Sequence, residues 1–139
     1  MLAPLASCGG TELPKTCAGH EELCDRRYDQ VSFAATHNSM ADSDHDRFGV
    51  TQTHDIARQL EDGIRGFMID THPDPIDSTR ALMCHAACIN DELTLAAGVE
   101  TIVDHLRRNR DSVVTIIFES YVTAEVTAHE FELGGGMPY

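Results

Sequence analysis

Apolar residues gather along this chain in short runs, and four of those runs stop at a polar side chain able to carry chemistry. Val31 to Ala35 leads into Thr36-His37-Asn38-Ser39, and Gly63-Ile-Arg65-Gly-Phe-Met-Ile69 leads into Asp70. Ala81 to Cys84 leads into His85, and Ser112-Val-Val-Thr-Ile-Ile-Phe118 leads into Glu119. Each run predicts a strand. The last is nearly continuous in β-branched and aromatic residues, which predicts a strand buried on both faces.

Helical spacing fills the intervals. Thr53 can cap a helix carrying Ile56, Ala57 and Leu60, with Gly63 as its stop. From Thr94 onward, Val99, Ile102, Val103 and Leu106 follow the i, i+3, i+4, i+7 rule of one buried stripe. Arg107, Arg108 and Arg110 then sit where positive charge suits the carbonyl end of a helix. A further helix is expected over Ala124–Leu133, before Gly134-Gly135-Gly136. Residues 39–52 read as a polar loop, and His72-Pro73-Asp74-Pro75 forces another.

The resulting order is strand, helix, strand, short strand, helix, strand, helix, which is that of a parallel β/α array. A (β/α)₈ barrel takes about 250 residues, and this chain has 139. The expectation is therefore an α/β fold, a TIM-type (β/α) barrel of which this chain covers roughly the first half. Residues 1–23 read as an N-terminal tether and residues 24–139 as the half-barrel.

Charge narrows the partners. Ten Lys plus Arg against 23 Asp plus Glu leave a formal net charge of −13. That field argues against nucleic acid and offers no general attraction to an anionic surface. An anionic phosphate substrate would need a local override from a cation, charged histidines or Arg65. Arg65 has a second reading, an ion pair at the far end of the barrel.

Cys17 and Cys24 are seven apart, Cys84 and Cys88 are four apart, and Cys8 is left over. Neither spacing fits zinc well, so two local disulfides are expected ahead of free thiols, with a metal site as the least favoured alternative. Leu5-Ala6-Ser7-Cys8 has the form of a lipoprotein cleavage site, although the stretch before it is short of a complete signal peptide. The expectation is a secreted or cell-envelope protein, with Cys8 as a lipid anchor or as a tail cysteine without a role.

Chemistry at the run ends points one way. His37 and His85 can pass a proton in opposite directions near neutral pH. Asn38, Asp70 and Glu119 are hard oxygen donors of the kind Ca²⁺ or Mg²⁺ takes.

These residues carry a resemblance. Ala35-Thr-His-Asn-Ser39, Gln59-Leu-Glu-Asp-Gly-Ile-Arg-Gly66, Asp70, Met83-Cys-His85 and Glu119 together resemble phosphatidylinositol-specific phospholipase C. The likeness covers about residues 23–122. It is nearest to the N-terminal half of the catalytic X region in the bacterial and fungal phospholipase C-like phosphodiesterases. The resemblance implies a distorted TIM-type barrel that cleaves a phospholipid phosphodiester through a cyclic phosphate. It implies catalytic roles for His37 and His85, a substrate contact for Arg65, and transient contact of a monomer with a membrane surface. Asp70 stands where one class of relatives has an arginine and the calcium-dependent class an aspartate. Asn38 and Glu119 match calcium ligands too, so the implied cofactor is Ca²⁺. Met68 stands where calcium-dependent relatives carry another carboxylate, which implies weak binding.

Three rivals differ in their expected residues. A glycerophosphodiester or sphingomyelinase D-type phosphodiesterase needs Glu-x-Asp where this chain has Met68-Ile69-Asp70. A zinc amidohydrolase needs a His-x-His that is absent. An inactive or incomplete surface protein that binds a lipid headgroup needs no turnover at all.

Overall fold

The computed structural model describes residues 16–89 and 93–139; Cys8 and its lipid-anchor reading lie outside them. Five strands and three α-helices follow in the order β1 (Ala35–Thr36), α1 (Ile56–Glu61), β2 (Gly66–Pro73), β3 (Ala81–Met83), β4 (Leu93–Thr94), α2 (Leu95–Arg108), β5 (Thr115–Ser120) and α3 (Ala124–Leu133). Ahead of β1, short 3₁₀ turns at Glu21–Leu23 and Tyr28–Gln30 follow a bridge between Cys17 and His20. The tether predicted for residues 1–23 thus holds local structure from residue 16 onward. A disulfide joins Cys17 to Cys24 and another joins Cys84 to Cys88, which decides among the readings of the cysteines.

The half-barrel expectation is overturned. The described strands form one open, mixed sheet in which β2 is central. It pairs in parallel with β5 over Gly66–Thr71 and Thr115–Ser120, and in parallel with β1 through Ala35 and Thr36. Its carboxyl end pairs with β3 in antiparallel fashion, Thr71 with Met83, and β3 pairs the same way with β4. The physical reason is the connection. Residues 74–80 are too few for the crossover of a dozen or more that a parallel neighbour requires, so the chain turns back as a hairpin.

Alternation along β2 sorts the two faces. Phe67, Ile69 and Thr71 are buried toward the helices, where Phe67 and Ile69 join Leu60, Met83, Leu95, Val99, Ile102 and Val103 in the core. The other face carries no helix among the described residues. On it Met68 is 36% exposed and its register partner Ile117 is 50% exposed. The strand predicted to be buried on both faces is therefore half covered: Ile116 and Phe118 meet the core, and Phe118 meets Phe131 edge-on at 6.1 Å. Tyr28 covers the near end of the bare face, its hydroxyl 2.6 Å from that of Thr115.

Helix details follow the sequence with small shifts. Asp55, not Thr53, caps α1 by accepting the Arg58 N–H, and Gln59 rather than Ala57 is buried beside Ile56 and Leu60. Thr94 caps α2 by accepting from Ala97, as its position predicts. Arg110 lies past the helix end, beyond Asn109. In α3, Glu130 is wholly buried and accepts from Arg80 Nε, the Ala81 N–H and the Ala96 N–H. That carboxylate ties α3 to the start of β3 and to the first turn of α2.

Candidate active site

β1 and β5 flank β2 in parallel, so their carboxyl ends open to one side, where α/β sheets place ligands. The turn after β1 is held there by side chains chosen for hydrogen bonding. Ser39 donates its N–H to the Met68 carbonyl at 2.9 Å, and its hydroxyl lies 3.1 Å from the same oxygen. Gln59 of α1 accepts from the Thr36 hydroxyl at 2.7 Å and donates to the Ser39 carbonyl at 2.9 Å. Thr51 and Gln52 donate to the His37 carbonyl at 3.2 and 2.6 Å. Held this way, Asn38 takes a left-handed φ of +49°, a conformation asparagine tolerates better than most residues.

Asp70 is the hub. It is 6% exposed, and no described residue donates a hydrogen bond to its carboxylate. Burial pushes its carboxyl above the usual carboxylate range, and the charge of Glu119 pushes the same way. His85, His37 and His72 pull it back down. Four titratable side chains from different parts of the chain therefore act on one buried carboxyl group. Asn38, 3% exposed, has no side-chain hydrogen-bond partner among the described residues either. Two nearly buried polar side chains without a protein partner at one rim fit a site that completes itself with a ligand.

Glu119 is the register partner of Asp70 and is exposed. Tyr121 donates its hydroxyl to Glu119, which raises the pKa of the phenol. The Tyr121 ring stacks on His72 with centroids 4.5 Å apart. His72 Nε2 is buried with no hydrogen-bond partner. His72 and Tyr121 each follow a predicted site residue by two positions, on the same face of the strand. That alternation is the signal in the sequence for both; the prolines beside His72 point to a loop, and β2 instead continues through Pro73.

Arg65 is not brought to this rim. It precedes Asp70 by five residues, about 17 Å along an extended strand. Its guanidinium donates to the Leu60 and Ile64 carbonyls at 2.7 and 2.8 Å, and its Nε is buried without a partner. Its role here is to close the end of α1, and no site carboxylate pairs with it. A concave region lined by Leu106, Arg110, Val113 and Tyr139 lies at that same far end and holds none of the site residues. Among the described residues, no group of three or more His, Cys, Asp or Glu is arranged to hold a metal. The oxygen donors at the rim are thus two carboxylates and one amide, a short set for an ion that takes six to eight oxygens.

The family described as PI-PLC X 1 matches residues 23–134. A PI-PLC X domain-containing protein 1 from Arthroderma benhamiae is 33% identical over 106 residues, covering 73% of this chain and 32% of the relative. An uncharacterized secreted protein from the same fungus is 30% identical over 104 residues, covering 74% of this chain and 23% of the relative. The chain thus spans a third or less of the length of these relatives. No solved structure matches.

Proposed function

This chain belongs to the PI-PLC X family, and from that premise we propose that it is the site-bearing part of a phosphoric diester hydrolase acting on a phospholipid headgroup. The observation that carries the reading is Asp70, nearly buried at the sheet's carboxyl rim as the register partner of Glu119, with the charges of His85 and His37 acting on its carboxyl group. In the proposed reaction a substrate hydroxyl attacks phosphorus and gives its proton to one histidine. The phosphorus–oxygen bond to the diacylglycerol side breaks, and the other histidine protonates the departing alkoxide. Water then opens the cyclic phosphate by the reverse proton route.

Asn38, Asp70 and Glu119 are the residues that would hold Ca²⁺. When bound, the ion would supply positive charge against the phosphoryl oxygens. Met68 occupies the same face as Asp70, two residues earlier, where a further carboxylate would lie. Its thioether is a poor partner for a hard cation, so the proposed affinity is low. The secreted relative and the two disulfides support an exported protein. Transient contact of a monomer with a membrane surface completes the proposal. A headgroup binder without turnover is the second reading, favoured by the short donor set.

Hydrolysis of phosphatidylinositol vesicles, with and without a calcium chelator, tests this beside His37→Ala. Turnover that falls on chelation and by about 10²–10⁴-fold in the variant is expected. Vesicle binding without turnover would favour the second reading. Turnover indifferent to His37→Ala would remove the mechanism.

A further inference from the structure

His85 is held from two independent directions. Its Nδ1 lies 3.0 Å from the carbonyl oxygen of Gly49, in the polar loop that follows the His-Asn-Ser turn. A carbonyl oxygen only accepts, so Nδ1 must carry the hydrogen and donate it. Nε2 is then the nitrogen left free of that contact. A free neutral histidine side chain in water prefers the opposite arrangement, with hydrogen on Nε2, so the fold inverts an intrinsic preference.

The contact tolerates no side chain at position 49. Gly49 has a φ of +67°, and a Cβ there would lie 2.7 Å from His85 Nδ1. From the other direction, the Cys84–Cys88 disulfide closes a ring around His85, Ala86 and Ala87. Ala86 takes a φ of +63° within it. Cys84 is buried, and its N–H donates to the Asp70 carbonyl at 3.4 Å, so the ring is anchored on β2 beside the site carboxylate.

We propose that the Gly49 carbonyl and the Cys84–Cys88 ring together form a tautomer lock on His85, which presents Nε2 to the space above Asp70. Gly49, Cys84 and Cys88 are thereby positioning residues. Whichever way a proton moves through His85, it moves through Nε2. The catalytic consequence rests on the two-histidine reading above, whereas the tautomer stands on geometry alone.

Long-range ¹H–¹⁵N spectra of the ¹⁵N-labelled full chain, taken above the ordinary histidine pKa range, read the tautomer directly. The His85 signal is assigned by its loss in His85→Gln. Wild type is expected to carry hydrogen on Nδ1. Gly49→Ala and Cys84→Ala/Cys88→Ala are each expected to shift the population toward Nε2–H. Each should also lower kcat on phosphatidylinositol about ten-fold or more with KM little changed. Cys17→Ala/Cys24→Ala, which removes the other disulfide, should leave the tautomer as in wild type. Hydrogen on Nε2 in wild type, or a shift in only one of the two test variants, overturns the joint lock. A locked tautomer in a protein without turnover would uphold the lock and remove the proposed function.

Discussion

Asp70 and Glu119 face each other as register partners on the parallel strands β2 and β5, one buried and the other exposed with a phenol donating to it. The charge of Glu119 raises the cost of ionising Asp70, and Asp70 has no donor of its own among the described residues to offset it. The pair is therefore a place where stability and proposed function pull in opposite directions.

Asp70→Asn should expose that conflict. The folded-state pKa of Asp70 lies above its ordinary 3.8, from burial and from Glu119. The native state thus holds the proton more tightly than the unfolded chain, and stability falls as pH rises from 3.8 through the folded value. At neutral pH the full cost applies, and the amide removes it. The variant is expected to melt at or above wild-type temperature without added metal, while phosphodiesterase activity falls by about 10²–10³-fold. Scanning calorimetry and turnover on the same preparation check both halves; a clear drop in melting temperature would contradict the argument.

Arg65→Met tests the placement of that arginine away from the rim. Loss of its bonds to the Leu60 and Ile64 carbonyls should cost about 1.5–3 kcal/mol in urea unfolding. The kcat of the folded fraction should stay at the wild-type value. A selective rise in KM with unchanged stability would return Arg65 to the substrate.

Glu130→Ala should be among the most damaging changes outside the rim. It strands the Ala81 and Ala96 amides and the Arg80 guanidinium, which share one wholly buried carboxylate. Leaving the two backbone amides without an acceptor costs about 1–3 kcal/mol each, read as a lowered urea midpoint. Glu130→Gln, which keeps an acceptor oxygen, should recover part of the loss.

His105 should set an acid limb on stability. Burial holds its pKa below the ordinary 6.5; the charges of Arg65 and Arg108 add to this and Glu61 opposes it. Its Nε2 is buried with no partner. The unfolded chain takes up the proton first, so stability is complete above 6.5 and is lost as pH falls toward the folded value. Melting curves from about pH 8 to about pH 5 should show this limb, and His105→Leu should flatten it.

Period and punctuation along the chain determined the helices and the approximate places of the strands. Ile102 and Val103 on α2, the Thr94 cap, and the placing of His37 and His85 just past β1 and β3 and of Glu119 near the end of β5 are local properties, dictated by side-chain spacing and by which residues can stop an element. β2 instead runs three residues past its expected end at Asp70, through Pro73, because pairing with β3 extends it. Tertiary structure alone decided direction and coverage. The loop at residues 74–80 turned β3 antiparallel, so an expected half-barrel became an open sheet, and a strand as apolar as Ser112–Glu119 was left with one bare face. It also decided which charges meet. Arg65 is only five residues from Asp70 in the sequence, yet an extended strand carries it to the opposite end of the sheet, away from a phosphate at the rim. His72 and Tyr121 reached the site for the same reason in reverse, because the two-residue repeat of a strand sets side chains on a shared face.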